Sequence, residues 1–414
     1  MTEGAAEAPR RPPKQEQQPA STEITEVGPG VLRMQIPIFF TGLGHVNCYA
    51  LVDDGGAAVV DAGMPGRATW QALTTRLKDA GLKVRDVHTV LITHSHPDHF
   101  GSAGRLAHEA RAEIVTERRF HTWLEPRSTR TRERPSAAHP AAGHSHAGGP
   151  DACQELLTPA APEDDTTNGE GRAGGVEDDT GFFSMTSHAT PWGGSPIPHL
   201  QRNIWMMRLS RWHLLRYVRP PIPTRHVTGG DHIVLAGREW EVVFTPGHTG
   251  DHMCLFDPEA RILISGDHVL PTITPHVPGL SPLADPLGSY LESLQGLRRL
   301  GDVSMVLPAH GHPFTDLPGR IDQIVAHHDG RLAELQRISA DLGTATVMDF
   351  SKELFRQAVW GMMAESETYA HLEYLRLRGK AERFEIDGKP LYRVEPASTP
   401  AQTQAAPSTE LPAG

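Results

Sequence analysis

"LITHSHPDHFG", residues 91–101, decides how this chain is read. The run leading into it, "VHTVLIT" from Val87 to Thr93, is apolar and β-branched and predicts a buried strand. His94, His96, Asp98 and His99 then crowd into six positions where imidazole and carboxylate add nothing to a hydrophobic core. Side chains two apart on an extended chain share a face, so His94 and His96 point the same way, and Asp98 and His99 follow as the backbone turns into a helix. Four metal-ligand groups thus converge on one small volume. Imidazole and carboxylate suit Zn²⁺ and also Fe or Mn, and no thiolate narrows the choice.

Three further stretches show the same punctuation. "TPGHTGDH" carries His248, "LISGDHVL" carries Asp267, and "VLPAHGHPF" carries His310. Each time an apolar strand stops and a ligand-type residue begins a loop, the place where α/β folds put active sites. Asp61 in "VVDAGMPG" ends another strand; it is a candidate acceptor for orienting one of the histidines, and a turn cap is the competing reading. His252 and His268 adjoin the motif residues and are expected to hydrogen-bond near the site or line it. His139, His144 and His146 have no strand to aim them and are read as decoys or weak scavengers of metal.

The rest of the chain sorts by composition. Hydrophobic residues make up 38% of 414, beside 40 glycines and 35 prolines, so part of the chain is expected not to pack. Residues 1–23 and 395–414 read as disordered tails. An insertion is expected over 126–228: largely disordered over 126–181, then a basic aromatic lid over 182–228 that holds six arginines with Trp192, Trp205, Trp212 and Tyr217 and no acidic residue. Strand and helix patterns alternate elsewhere between 24 and 342, which implies a layered α/β fold. Two helical patterns, "SKELFRQAVWGMMA" and "ETYAHLEYLRLRGKA", and a hairpin turning at Asp387-Gly388 read as a small winged-helix-like module over 343–394. Cys48 and Cys254 sit in strand-like runs and are expected to be buried; with Cys153 they form neither a disulfide framework nor a thiolate site.

The HxHxDH pattern of His94, His96, Asp98 and His99, followed in order by His248, Asp267 and His310, resembles the metallo-β-lactamase superfamily over about residues 30–342, the insertion apart. The resemblance implies a four-layer αββα sandwich. It also implies two metal ions, taken as Zn²⁺ with Fe or Mn as alternatives: one held at His94, His96 and His248, the other at Asp98, His99 and His310, with Asp267 bridging. The wording around the ligands looks closest to the branch of glyoxalase-II-like thioesterases and lactamase-like endoribonucleases. Histidine at position 96, where diiron flavoproteins of this fold carry glutamate, disfavours electron transfer.

A hydroxide shared by the two ions, with Asp98 orienting it, is the expected nucleophile. A small anionic ester or thioester is the first expectation for the substrate, with Trp205, Arg208, Trp212 and His276 as candidate contacts. Cleavage of single-stranded RNA is the alternative, and an iron-dependent persulfide oxygenase or a nucleic-acid-binding regulator stands behind it. A net charge of −11 argues against a chain built mainly to coat nucleic acid. The lid segment would otherwise pack its apolar face on the core or on a second subunit as a homodimer interface. Residues 1–23 lack a signal-peptide core and no run of 18 apolar residues occurs, so a cytoplasmic protein without membrane contact is expected.

Overall fold

The computed structural model describes residues 14–39, 42–122, 190–193, 219–387 and 389–396. Two β-sheets face each other. The first runs in the order β1 (Thr25–Gly28), β2 (Val31–Pro37), β3 (His45–Asp53), β4 (Gly56–Val60), β5 (Val87–Leu91), β6 (Glu113–Glu117), β7 (Arg225–Val227). It is antiparallel as far as β4 and parallel from β4 to β7. Two-residue turns join β1 to β2 and β3 to β4, whereas α1 (Arg67–Asp79) leads to β5, and α2 (Pro97–Phe100) with α3 (Ala103–Ala110) leads to β6; parallel neighbours need such crossovers. The second sheet is ordered β12 (Met305–Pro308), β11 (Ile262–Gly266), β10 (Met253–Asp257), β9 (Arg238–Phe244), β8 (His232–Leu235). Only β11 and β12 are parallel there, and α4 (Pro286–Arg298) crosses between them.

Alternation along the strands builds the layers. In β3, Val46, Cys48 and Ala50 pack outward against Trp70, Leu73 and Leu77 of α1 and Leu106 of α3. Tyr49 and Leu51 point the other way and meet Trp240, Met253, Leu255 and Ile264 of the second sheet. The far side of β10, Cys254 and Phe256, packs on Tyr290 and Leu294 of α4 and on Ile321 and Ile324 of α5 (Leu317–Leu342). The architecture is therefore αββα, and Cys48 and Cys254 are buried free thiols. Asp285 and Asp316 each accept a backbone N–H three residues on and are followed closely by proline, which starts α4 and α5 where they begin. Among the described residues no helix is long and apolar enough to cross a membrane.

After α5 come β13 (Ala345–Thr346), α6 (Val347–Leu354), α7 (Met362–Leu377) and the hairpin β14 (Ala381–Ile386) and β15 (Lys389–Val394), with β15 central in a three-stranded sheet. The first helix begins four residues before the "SKEL" pattern, because Thr346 and Asp349 form a reciprocal capping box. Where α5 meets α7, His328 Nδ1 lies 3.0 Å from His371 Nε2, and His371 Nδ1 donates to the carbonyl of Glu367 at 2.7 Å. Burial, then the neighbouring His371, pulls His328 down to about 3. The folded value lies below the ordinary 6.5, so the unfolded chain takes up the proton first and stability falls as pH drops from 6.5 towards 3. Replacing His328 by Gln is expected to make the stability–pH slope shallower by about 1 kcal/mol per pH unit between pH 6 and 4, read from urea midpoints. An unchanged slope would contradict the neutral pair.

Three features depart from the sequence reading. Residues 14–23, expected in a tail, pack on the body: Glu16 is fully buried, and its carboxylate accepts from Thr272 N at 2.7 Å, Ile273 N at 3.0 Å and Thr272 Oγ1. Glu16→Ala is expected to cost about 2 kcal/mol of unfolding free energy, since charge-assisted bonds to half-buried backbone donors are lost; an unshifted denaturant midpoint would refute it. The insertion boundary at 228 also falls too late. Arg225–Val227 pairs in parallel with β6 and Val227 packs between the sheets, so the chain has rejoined the sandwich by then. Trp192, placed in the lid, is 3% exposed in the core of the last helices and hairpin, its Nε1–H donating to Glu365 at 3.0 Å. Trp205, Arg208 and Trp212 lie outside the described residues.

Candidate metal centre

Four loops at one end of the facing sheets bring the seven motif residues together. His94 and His96 follow β5, Asp98 and His99 sit on α2, His248 lies between β9 and β10, and Asp267 and His310 follow β11 and β12. The two sheets are tied at this end. Met253 N donates to Thr93 O, and Asn47 of β3 hydrogen-bonds Ala309 and Gly311 beside His310. Gly266 ends β11 at φ +50, and a Cβ there would stand 2.6 Å from His252 Nε2, so a side chain at that position collides with the site's own support.

Asp267 stands at the centre. Its Oδ2 lies 3.4 Å from His99 Nε2, 3.5 Å from His248 Nε2 and 3.8 Å from His94 Nε2, while its Oδ1 is 3.2 Å from His310 Nε2. Asp98 Oδ2 is 3.5 Å from His310 Nε2 and 3.6 Å from His99 Nε2. His96 Nδ1 is 3.1 Å from His248 Nε2. The donor atoms fall into two groups, His94, His96, His248 and Asp267 in one and Asp98, His99 and His310 in the other, each within 4.8 Å.

The outward nitrogens of four of these rings are held. His99 Nδ1–H donates to Asp61 Oδ2 at 2.8 Å, His248 Nδ1–H to the carbonyl of His276 at 2.7 Å, and His310 Nδ1–H to the carbonyl of His45 at 2.7 Å. His94 Nδ1 is 3.1 Å from Thr93 Oγ1, which donates in turn to Asp61. Each bond selects the tautomer whose Nε2 lone pair faces inward. Asp61 has φ +58, a backbone conformation that Asp and Asn tolerate better than other side chains.

Whether these residues suit a cation can be judged from unmet demand. The inward Nε2 atoms of His94, His99 and His310, together with Asp267 Oδ1, are buried without a hydrogen-bond partner, a costly arrangement for protein groups alone. Burial, then His99 and His96, drives His94 well below the ordinary imidazole range. Burial also lowers His99 and His310, but the carboxylates around them outweigh it and hold both above that range. Burial raises Asp267, yet His310 and His99 hold it well below the carboxylate range. A divalent cation would take the place of such protons and give these lone pairs a partner, so the donor set fits metal binding.

The neighbours divide. His252 Nε2 accepts from the backbone N–H of Asp267 at 3.1 Å, whereas His268 makes no ring hydrogen bond and packs against Tyr290 at 4.7 Å. His276 supports His248 through its carbonyl and turns its imidazole towards Glu367, 3.5 Å away. Asp251 is buried and accepts from Ser95 Oγ at 3.1 Å; nothing in "TGDH" separates it from an ordinary loop aspartate. The carbonyls of His45 and His276 are main-chain groups that carry no residue-type signal.

Known proteins agree with this geometry. The profile of the metallo-beta-lactamase superfamily matches residues 41–310. A lactamase-like protein nscB from Trichophyton equinum is 35% identical over 113 residues, 27% of this chain and 32% of that protein. Its counterpart from Neosartorya fischeri is 34% identical over 133 residues, 30% and 38% of the two chains. The match thus spans about a third of these relatives' own length. A metallo-beta-lactamase family protein from Thermus thermophilus superposes with a TM-score of 0.60 at 25% identity, covering 88% of this chain and 98% of that one. A beta-lactamase domain protein from Burkholderia ambifaria gives 0.60 at 26%, covering 91% and 96%. With facing sheets flanked by helices, a His/Asp donor cluster at the strand ends and a family match that reaches into both sheets, the chain belongs to the metallo-beta-lactamase superfamily.

Proposed function

We propose that the chain is a dinuclear hydrolase of small esters or thioesters. The observation that carries the reading is the position of Asp267, whose two oxygens lie within 3.8 Å of nitrogens from both donor groups. His94, His96 and His248 would hold one ion, Asp98, His99 and His310 the other, and Asp267 would touch both. Two such ions, Zn²⁺ by donor type with Fe or Mn as alternatives, would supply a water of pKa near 7 and polarise a carbonyl oxygen. Asp98 keeps 16% of its side chain exposed beside the sealed rings of His99 and His310, which suits it to orient the attacking water and hold its proton. Asp61 keeps the His99 ring from turning. The depth of the cluster supports a narrow substrate, because His94, His99 and His310 are fully buried and a reacting group must reach in to them. Cytoplasmic action on a small anionic compound is the setting this reading implies.

Turnover of an ester and thioester panel, assayed beside labelled single-stranded RNA, tests the reading. Hydrolysis of a thioester with loss on Asp98→Ala supports it. RNA cleavage without thioester turnover would transfer the site to phosphodiesters, and iron with oxygen consumption on a persulfide would replace hydrolysis altogether.

A further inference from the structure

The segment that starts at Asp267 and ends at His276 also forms, through residues 272–275, one wall of a cavity of about 430 Å³. Opposite that wall, Arg320, Gln323, His327 and Arg331 recur at i, i+3, i+7 and i+11, so α5 turns one polar stripe into the cavity over three turns. Lys14 closes it from the N-terminal segment, and Glu367 of α7 completes it.

The cations are anchored in place. Arg320 is 9% exposed and donates to the carbonyls of Leu270 at 2.6 Å and Ile273 at 2.7 Å and to Gln323 at 2.9 Å, which spends three of its five N–H groups. Arg331 stacks on the Phe355 ring, 4.3 Å from its centroid, and donates to Leu354 O. Lys14 Nζ reaches Thr272 O at 3.2 Å with donors to spare. Against them the lining offers one carboxylate, Glu367, already shared between His276 at 3.5 Å and Arg331 at 4.0 Å. The nearby Glu16 is committed to Thr272 and Ile273. Three cations around one carboxylate leave an excess of positive charge and unspent donors facing the space.

We propose that this cavity binds a phosphoryl group on the part of the substrate remote from the cleaved bond. A phosphoryl group offers up to two negative charges and three acceptor oxygens, which matches three separately placed cations better than a carboxylate does. His276 links the two places, since its carbonyl holds His248 while its ring faces Glu367. The role given to the group rests on the hydrolase reading; the binding itself does not. Affinity gained there reaches the reacting centre as higher kcat/KM.

Calorimetric titration of inorganic phosphate into the purified full-length protein tests it. Saturable binding is expected, weakened about tenfold or more by Lys14→Glu and by Arg331→Gln and untouched by Lys78→Glu on the far surface helix α1. Lys14 is exposed, so its variant keeps the fold even if the loss of Arg331 does not. Equal affinity in the parent and Lys14→Glu proteins would overturn the site. Phosphate should also compete with a phosphorylated thioester and spare its dephosphorylated analogue; binding without that competition would overturn the substrate role. Phosphate binding in a protein that hydrolyses no ester or thioester would refute the proposed function and leave the site standing.

Discussion

Asp267→Ala is expected to lower kcat/KM by about 10³-fold or more while the chain stays folded, because one carboxylate serves both donor groups. Four imidazole nitrogens face it between 3.2 and 3.8 Å, so no neighbour can take over. The loss should fall on kcat, with the circular dichroism spectrum unchanged and the bound metal reduced. Retained turnover in a folded Asp267→Ala protein would place the chemistry elsewhere.

Asp61→Ala should act at one remove. The Asp61 carboxylate accepts from the His99 ring, from Thr93 N at 2.9 Å and from Thr93 Oγ1, so it fixes one donor directly and a second through Thr93. Second-sphere acceptors of this kind change metal affinity by about 10- to 100-fold, the expected loss in a chelator competition titration. Unfolding should become easier by about 2 kcal/mol as three buried donors lose their partner. Asp61→Asn separates the two effects: it tolerates φ +58 and keeps one acceptor oxygen, so it should restore most of the stability but less of the affinity. Equal metal affinity in all three proteins would mean that Asp61 merely caps a turn.

The same residues show what a sequence carries and what it hides. The stretch at 91–101 was legible because a strand and a helix start impose known periodicities on four chemically conspicuous side chains, and each later motif repeats the pattern of a strand end. The layers were legible for the same reason, as in β3, whose alternate residues feed two separate cores. Glu16 was not legible. It lies in a stretch rich in Gln, Glu and Pro, and its partners are backbone N–H groups 256 and 257 residues away. The strand Arg225–Val227 is too short to show a period, and Trp192 differs from any other tryptophan only by the core it enters. The carbonyls of His45 and His276 depend on where the main chain passes, which no residue type encodes.

Metal content measured by elemental mass spectrometry on the purified protein tests the central claim most directly. Close to two divalent ions per chain are expected, falling towards one or none in His310→Ala. One ion or none in the parent protein, under conditions where it is active, would contradict a paired centre.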